Sequence, residues 1–305
     1  MRRRDFLALS TAAFLPRPPF RAEPRLVERW SWAMGQAVHL RLFHPDEARG
    51  LEAAQAALAE LRRVEGVLSR FDGGSALSEL HRQAGRGWFG GAPELAAVLA
   101  AALHARSATG GAFDVTIEPL MRAWGFREPR KAPPGERELA EATAAVAAAV
   151  IELDGSRIRL PARHTRLDLG GIGVGYAIDR AGEVLGAHGV EAALLEVSGD
   201  LLALGAPPGS AGWEVEISDP RHAGTILART RLQDEALATS GQSAEVVELA
   251  GRRHGHVMDP ATGRPATRLL QATVTARTAL AADVLSTASL VRPASYAGVR
   301  ERWTV

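Results

Sequence analysis

Asp283 and Thr287 stand four residues apart in the run from Ala281 to Ala288. On a helix that spacing puts a carboxylate and a hydroxyl on one face. Two hard oxygens side by side make half a site for Mg²⁺, a cation that takes its remaining ligands from phosphate oxygens and water. Taken alone, an Asp and a Thr one turn apart equally describe a solvated or locally hydrogen-bonded pair. Four other segments give the pair its weight.

Arg166 to Tyr176 reads as a strand, a glycine-rich turn and a helix start. Its glycines let backbone groups approach a phosphate, and a helix N-terminus favours the anion. A Rossmann site needs G-x-G-x-x-G, whereas Gly171-Ile172-Gly173-Val174-Gly175 runs G-x-G-x-G. A tight strand-to-helix turn without a ligand also fits. Gly110 to Thr116 either caps the preceding helix or lays Phe113 and Asp114 against a ring system. In His254-Gly255-His256-Val257-Met258-Asp259-Pro260, both histidines would point the same way on a strand. That raises zinc, but a zinc site wants a third ligand and none stands nearby. A general base or a phosphate contact at His256 fits better, with a structural histidine as the alternative. Ser69 to Leu80 closes one helix and opens another with Ser75 as the cap. Phe71 there is either core or a flat face for stacking.

These segments need a scaffold. Ala37 to Phe43 alternates apolar and polar residues and is expected as a strand. Asp46 to Leu68 carries an apolar stripe at helical spacing, and Pro93 to Ser107 is a second helix followed by Gly110-Gly111. Pro129 to Gly135 is a loop, and Glu138 to Val150 an alanine-rich helix. Ile151–Leu153 and Ile158–Leu160 flank Asp154-Gly155 as a hairpin. Strands are expected near residues 166–169, 192–197, 201–204, 214–218, 225–232 and 271–276. Helices are expected over 176–187 and 280–290. Short strands joined by turns, with helices gathered between them, predict an α+β fold with a largely antiparallel sheet. A sub-domain boundary is expected near residues 125–137.

The chain has 305 residues, 46% of them apolar, enough to bury a sizeable core. A net charge of +1 argues against nucleic-acid binding through bulk electrostatics. Without cysteine there are no disulfides or thiolate metal sites. Lys131 is the only lysine, and it sits in a proline-rich loop, so Schiff-base chemistry is discounted. Arg3-Arg4-Asp5-Phe6-Leu7 opens a twin-arginine pattern, followed by an apolar run to Leu15 and then Pro16, Pro18 and Pro19. That run is too short to span a bilayer. It is expected to be an export signal over residues 1–22, ahead of one domain at 23–305 and directing the protein to the periplasm. No other segment is expected to cross a membrane.

The ordered set resembles the ApbE-like family, the FAD:protein FMN transferases. The resemblance rests on Ala33-Met34-Gly35, Ser69 to Leu80, Gly111-Ala112-Phe113-Asp114 with Trp124-Gly125-Phe126, Asp168 to Asp179, Ser198-Gly199-Asp200, Ala238 to Gly241, His256 to Gly263, and Asp283 to Thr287. It implies an ApbE-like, T-fold-like architecture. It also implies transfer of FMN from FAD to a Thr or Ser hydroxyl of a target flavoprotein, with release of AMP. By the same resemblance Met34, Phe71, Ala112, Phe113, Asp114, Asp168, Val174 and Met258 line the FAD pocket, with Phe71 stacked on the isoalloxazine. The Gly171 carbonyl, Asp283 and Thr287 hold Mg²⁺, and His256 is the base. Four places depart from the family pattern. Val174 replaces a usual Lys or, less often, Glu, Ser198 a usual Gly, Gly171 a common Ala that a carbonyl ligand can spare, and Gln242 to Val246 lacks the family's Tyr and Arg. FAD hydrolysis to FMN and AMP, or a non-catalytic flavin-binding factor, are therefore the alternative functions.

Overall fold

The computed structural model describes residues 23–305, so the expected signal at 1–22 lies outside it. In chain order the elements are β1 (Arg25–Ala33), β2 (Gln36–His44), α1 (Glu47–Leu68), α2 (Ala76–Gln83), α3 (Pro93–Ala108), α4 (Glu118–Ala123) and α5 (Glu136–Ala147). The β3 (Glu152–Asp154) and β4 (Arg157–Arg159) hairpin precedes α6 (Gly173–Ala187). Then come β5 (Ala192–Val197), β6 (Asp200–Leu204), β7 (Trp213–Ser218), β8 (Ile226–Leu232), β9 (Glu235–Gly241), β10 (Val246–Leu249) and β11 (Arg252–Gly255). The chain ends with β12 (Met258–Asp259), β13 (Arg264–Pro265), β14 (Gln271–Ala276), α7 (Ala279–Val291) and β15 (Glu301–Thr304).

Seven strands form the main sheet in the order β1-β2-β5-β6-β9-β14-β15. Every neighbouring pair is antiparallel. The strand period of two sorts its side chains to two faces. Ala193, Leu195 and Val197 of β5 join the large core shared with α1, α6 and α7. Ala192 and Leu194 face the other way, into a second core closed by Trp213, Val215, Ile217 and Leu232 of the β7–β8 hairpin. The sheet is thus covered by helices on one face and by a two-stranded ribbon on part of the other. A third cluster joins Leu120, Met121 and Trp124 to Leu139, Val146, Leu249 and Met258.

The helices begin where local chemistry starts them. The Asp46 carboxylate accepts from the Ala48 and Arg49 N–H groups, and the apolar stripe of α1 runs from Ala53 to Leu68 along its buried face. Helix α7 is capped twice. The Thr278 hydroxyl accepts from the Ala281 N–H, while both carboxylate oxygens of Asp179, one helix away, accept from the Ala279 and Leu280 N–H groups at 2.7 and 2.9 Å. Close contact between α6 and α7 requires Gly175, because a Cβ there would sit 2.4 Å from the Ala279 carbonyl oxygen.

The antiparallel α+β reading matches the fold. At residues 166–169 the strand expectation does not hold: the segment is extended but joins no ladder. Its backbone is tied elsewhere, with the Leu167 N–H on the His81 imidazole and the Asp168 N–H on the Val115 carbonyl. Strands β1, β9, β10, β12, β13 and β15 lie outside the sequence expectations, and β11 is met only at its end, at His254. In β1, Leu26, Trp30 and Trp32 face solvent, which inverts the usual pattern. In β9 Ala236, Leu237 and Ala238 are buried in succession, on both faces, leaving no alternation to read.

Candidate functional site

A cleft of about 710 Å³ opens on the helical side of the sheet, where strand ends, the first turn of α6 and the middle of α7 converge. All twelve residues singled out from the sequence line it: Met34, Phe71, Ala112, Phe113, Asp114, Asp168, Gly171, Val174, His256, Met258, Asp283 and Thr287.

The floor is made by three elements. Asp283 is 5% exposed and its Oδ2 accepts from the Gly175 N–H at 3.1 Å. Thr287 lies one turn further along α7, its hydroxyl 3.0 Å from that of Ser240. Gly171 presses against Thr287, since a Cβ there would lie 3.1 Å from Thr287 Oγ1 and 3.2 Å from Phe113 Cε2. Residues 171, 283 and 287 thus line one cleft, with Gly171 against Thr287 and Asp283 one turn before it on α7. Asp200, which the sequence reading did not single out, stands beside them at the start of β6 and accepts from the Thr239 N–H. Burial pushes the Asp283 carboxyl well above the usual carboxylate range, and the Asp200 carboxylate adds repulsion. Asp200 is itself pushed up to about 7 by burial. The strands expected at 192–197 and 201–204 leave Ser198-Gly199-Asp200 as the connection between them, and its acid is the available signal.

The opposite end is looser. Phe71 is 81% exposed, with the Arg70 guanidinium 4.0 Å from its ring centre. Exposure decides between the two sequence readings of Phe71, since it is not core. Met34 and Gly35 form the two-residue turn joining β1 to β2, both with positive φ, as a type I′ turn demands. The Gly35 N–H donates to the Glu65 carboxylate of α1, anchoring that turn to the helix.

One wall is an ionic network. Asp168 accepts from the Gly170 N–H at 2.8 Å and from the Arg127 guanidinium, which also donates to Glu118 at 2.8 Å. On the next strand of wall, Asp114 pairs with Arg106 at 2.9 Å and accepts from the Thr116 N–H and hydroxyl. Val174 is 9% exposed and presents an apolar surface at the first turn of α6.

The two histidines separate. His256 lies beyond the end of β11 and lines the cleft, whereas the His254 ring packs against Trp124 at 5.0 Å between centres. They do not share a strand, so the expected common direction fails. Among the described residues no three His, Asp, Glu or Cys side chains form a metal-holding group. Burial lowers the His256 pKa, so the ring is neutral near pH 7, and its Nδ1 is buried without a partner. Gln242 donates from its side-chain amide to the Ala266 and Val257 carbonyls, and the His256 N–H donates to the Glu245 carbonyl. The segment at 242–246 thus braces the histidine loop.

The ApbE family model matches residues 34–299. An FAD:protein FMN transferase of Treponema pallidum is 30% identical over 290 residues, covering 89% of this chain and 80% of that protein. An FAD:protein FMN transferase of Salmonella typhimurium is 29% identical over 266 residues, covering 85% and 76%. The crystal structure of the ApbE protein from Thermotoga maritima superposes with a TM-score of 0.80 at 28% identity, covering 88% of this chain and 87% of that one.

Proposed function

The chain belongs to the ApbE family, and we propose that it splits the pyrophosphate of FAD and transfers the FMN half to a Ser or Thr hydroxyl of a target protein. The observation that supports this reading is that Gly171, Asp283 and Thr287 line one cleft, Gly171 against Thr287, and that the same cleft exposes Phe71. Relatives at 29–30% identity bear the name FAD:protein FMN transferase.

The floor suits Mg²⁺. A carboxylate, a hydroxyl and a backbone carbonyl are hard oxygen donors, and they leave positions for phosphate and water. Among the described residues, Asp283 and its neighbour Asp200, which repel each other, have no cation among their hydrogen-bond partners. Bound there, Mg²⁺ would offset charge on the pyrophosphate oxygens. Gly171, Asp283 and Thr287 are assigned as its ligands.

The remaining roles fall to the walls. Phe71 offers a flat face to the isoalloxazine, with Met34 and Met258 alongside. Asp168, fixed by Arg127 and the Gly170 N–H, accepts hydrogen bonds from the dinucleotide. Ala112, Phe113 and Asp114 complete the pocket with Val174. The acceptor oxygen forms a bond to the phosphorus of the FMN half, and the P–O bond to the AMP half breaks. AMP leaves with the electron pair. His256, kept neutral by burial, takes the hydroxyl proton. Because its Nδ1 is enclosed, we assign Nε2 as the accepting atom.

Export to the periplasm is part of the proposal, on the strength of Arg3-Arg4 and the apolar run after them. Among the described residues no helix is long and apolar enough to cross a membrane. The test is to incubate the purified chain with FAD, Mg²⁺ and candidate exported proteins, and to measure intact mass. An FMN-sized gain that EDTA prevents is expected. Wild-type protein that neither labels a protein nor releases AMP would sink the reading. Water as the acceptor is the second reading. Val174 favours it, because the first turn of α6 brings no cation to the cleft.

A further inference from the structure

A second cavity, of about 460 Å³, lies on the other face of the sheet, between β7 and strands β2, β5, β6, β9 and β14. Five consecutive residues of β7, Glu214 to Ser218, line it. A strand that offered only a face would contribute alternate residues. Five in a row mean that β7 presents its backbone edge. β7 pairs only with β8, so that edge has no strand partner. At one end a side chain already bonds to it across the gap, the Gln271 amide donating to the Ser218 carbonyl at 3.1 Å.

The groove continues into the cleft. Ser198, at the β5–β6 turn, and Thr239 of β9 line both cavities. Thr239 and its neighbour Ser240 are bonded to Asp200 and Thr287, so the groove ends against the floor of the cleft. Its own wall carries Arg41 and Glu196, which lie diagonally across β2 and β5 on one face. The Arg41 Nε is buried without a partner.

We propose that the acceptor protein is recognised through an extended segment that adds to β7 as a third strand and crosses the Ser198–Gly199 turn into the cleft. This rests on the reading that the chain flavinylates a protein. Strand addition supplies affinity through main-chain hydrogen bonds and leaves the side chains of the added segment to set specificity. Leu194, Leu201 and Leu237 at the base of the groove are themselves buried, so beyond the backbone edge it offers the segment mainly polar groups, Arg41, Glu196 and Gln271 among them. The hydroxyl then enters from the sheet side, while FAD occupies the helix side.

The test uses the full chain, FAD, Mg²⁺ and a mixture of short synthetic peptides, each with one central threonine. Labelled peptides are read by mass, and AMP release without peptide is measured in parallel. Glu196→Trp fills the groove, and it should lower peptide labelling about tenfold relative to AMP release. Glu196→Gln, which leaves the space open, should retain labelling. In the wild-type protein, hydrogen exchange at the amides of Trp213–Ser218 should slow when a labelled peptide's unlabelled form is added. Trp32→Ala probes the rival free edge at β1 and should leave the labelling ratio unchanged. AMP release without any peptide labelling would overturn the proposal and leave FAD cleavage intact. So would labelling that survives Glu196→Trp, or β7 amides that show no protection. Absence of AMP release and labelling together would instead defeat the functional reading.

Discussion

At the floor of the cleft Asp283 is 5% exposed, fixed by the Gly175 N–H and set on a helix whose first turn is capped from α6. At the mouth Phe71 is 81% exposed, on a loop between two helices, in contact chiefly with Arg70. The floor is rigid and electrostatically unfavourable. Two carboxylates are enclosed together, and burial and mutual repulsion raise the cost of ionising them. The mouth is exposed at Phe71, although its loop backbone is held by the Ser69 and Asp72 side chains. Chemistry that must hold charge needs the first arrangement, whereas a surface that must admit and release a flat ring needs the second. Disruption of the floor should therefore remove turnover without harming the empty fold. Disruption of the mouth should weaken substrate binding and little else.

The largest effect is expected at Asp283. Asp283→Asn removes a hard anionic ligand and should lower FAD cleavage roughly 10⁴-fold, a loss of several kcal/mol of charge stabilisation. The same change should leave the metal-free melting temperature unchanged or raised, because it removes a buried repulsive charge. Mg²⁺ should raise the melting temperature of the wild type and not of the variant. A variant that melts far below the wild type without metal would show that Asp283 is a structural strut.

His256 comes next. His256→Gln keeps a polar side chain but no basic nitrogen, and should slow transfer roughly 10²-fold with little change in KM for FAD. The wild-type rate should fall on the acid side as the ring protonates. Since burial lowers its pKa, that fall should lie below the ordinary histidine range near 6.5. A pH–rate profile that is the same in His256→Gln would remove the histidine from the reaction. Phe71→Ala should be milder. Loss of an aromatic pairing worth about 1 kcal/mol would raise KM for FAD about fivefold, with kcat and melting temperature nearly unchanged.

The same contrast explains what the sequence disclosed. Floor residues announced themselves because each is tied to a short-range pattern, with Asp283 and Thr287 one helical turn apart and the glycines of the Gly171 turn in a row. Phe71 stayed ambiguous, because a lone aromatic after a helix end has no periodicity to say whether it is inward or outward. Asp200 was passed over because its importance comes from Asp283, distant in sequence and adjacent only once β6 and α7 pack on the same sheet. β9 was missed for a related reason. Ala236, Leu237 and Ala238 are buried in succession and so on both faces, and no alternation marks them. The segment at 166–169 looked like a strand because its residues alternate, yet its backbone donors are taken by His81 and Val115.

His81 gives the smallest and most local test of the wall between floor and mouth. Its Nε2 accepts the Leu167 N–H at 3.0 Å, one residue before Asp168. Burial, and then the charge of Arg166, lowers its pKa to about 4, against a smaller opposing pull from Asp168. The folded pKa lies below the unfolded value of 6.5, so as pH falls the unfolded chain takes up the proton first. Stability contributed by neutral His81 is therefore complete above about pH 6.5 and is lost as pH drops towards 4. The loss should reach about 3 kcal/mol. Carboxylates elsewhere also titrate in this range, so the informative quantity is a difference. His81→Gln can still accept the Leu167 N–H and has no proton to gain. Its denaturation midpoint should decline less steeply than the wild type's between pH 6.5 and 4.5, and equal slopes would mean that His81 does not hold this wall. If the slopes do differ, KM for FAD in the wild type should rise over the same interval, because the residue that His81 steadies through its backbone is the neighbour of Asp168.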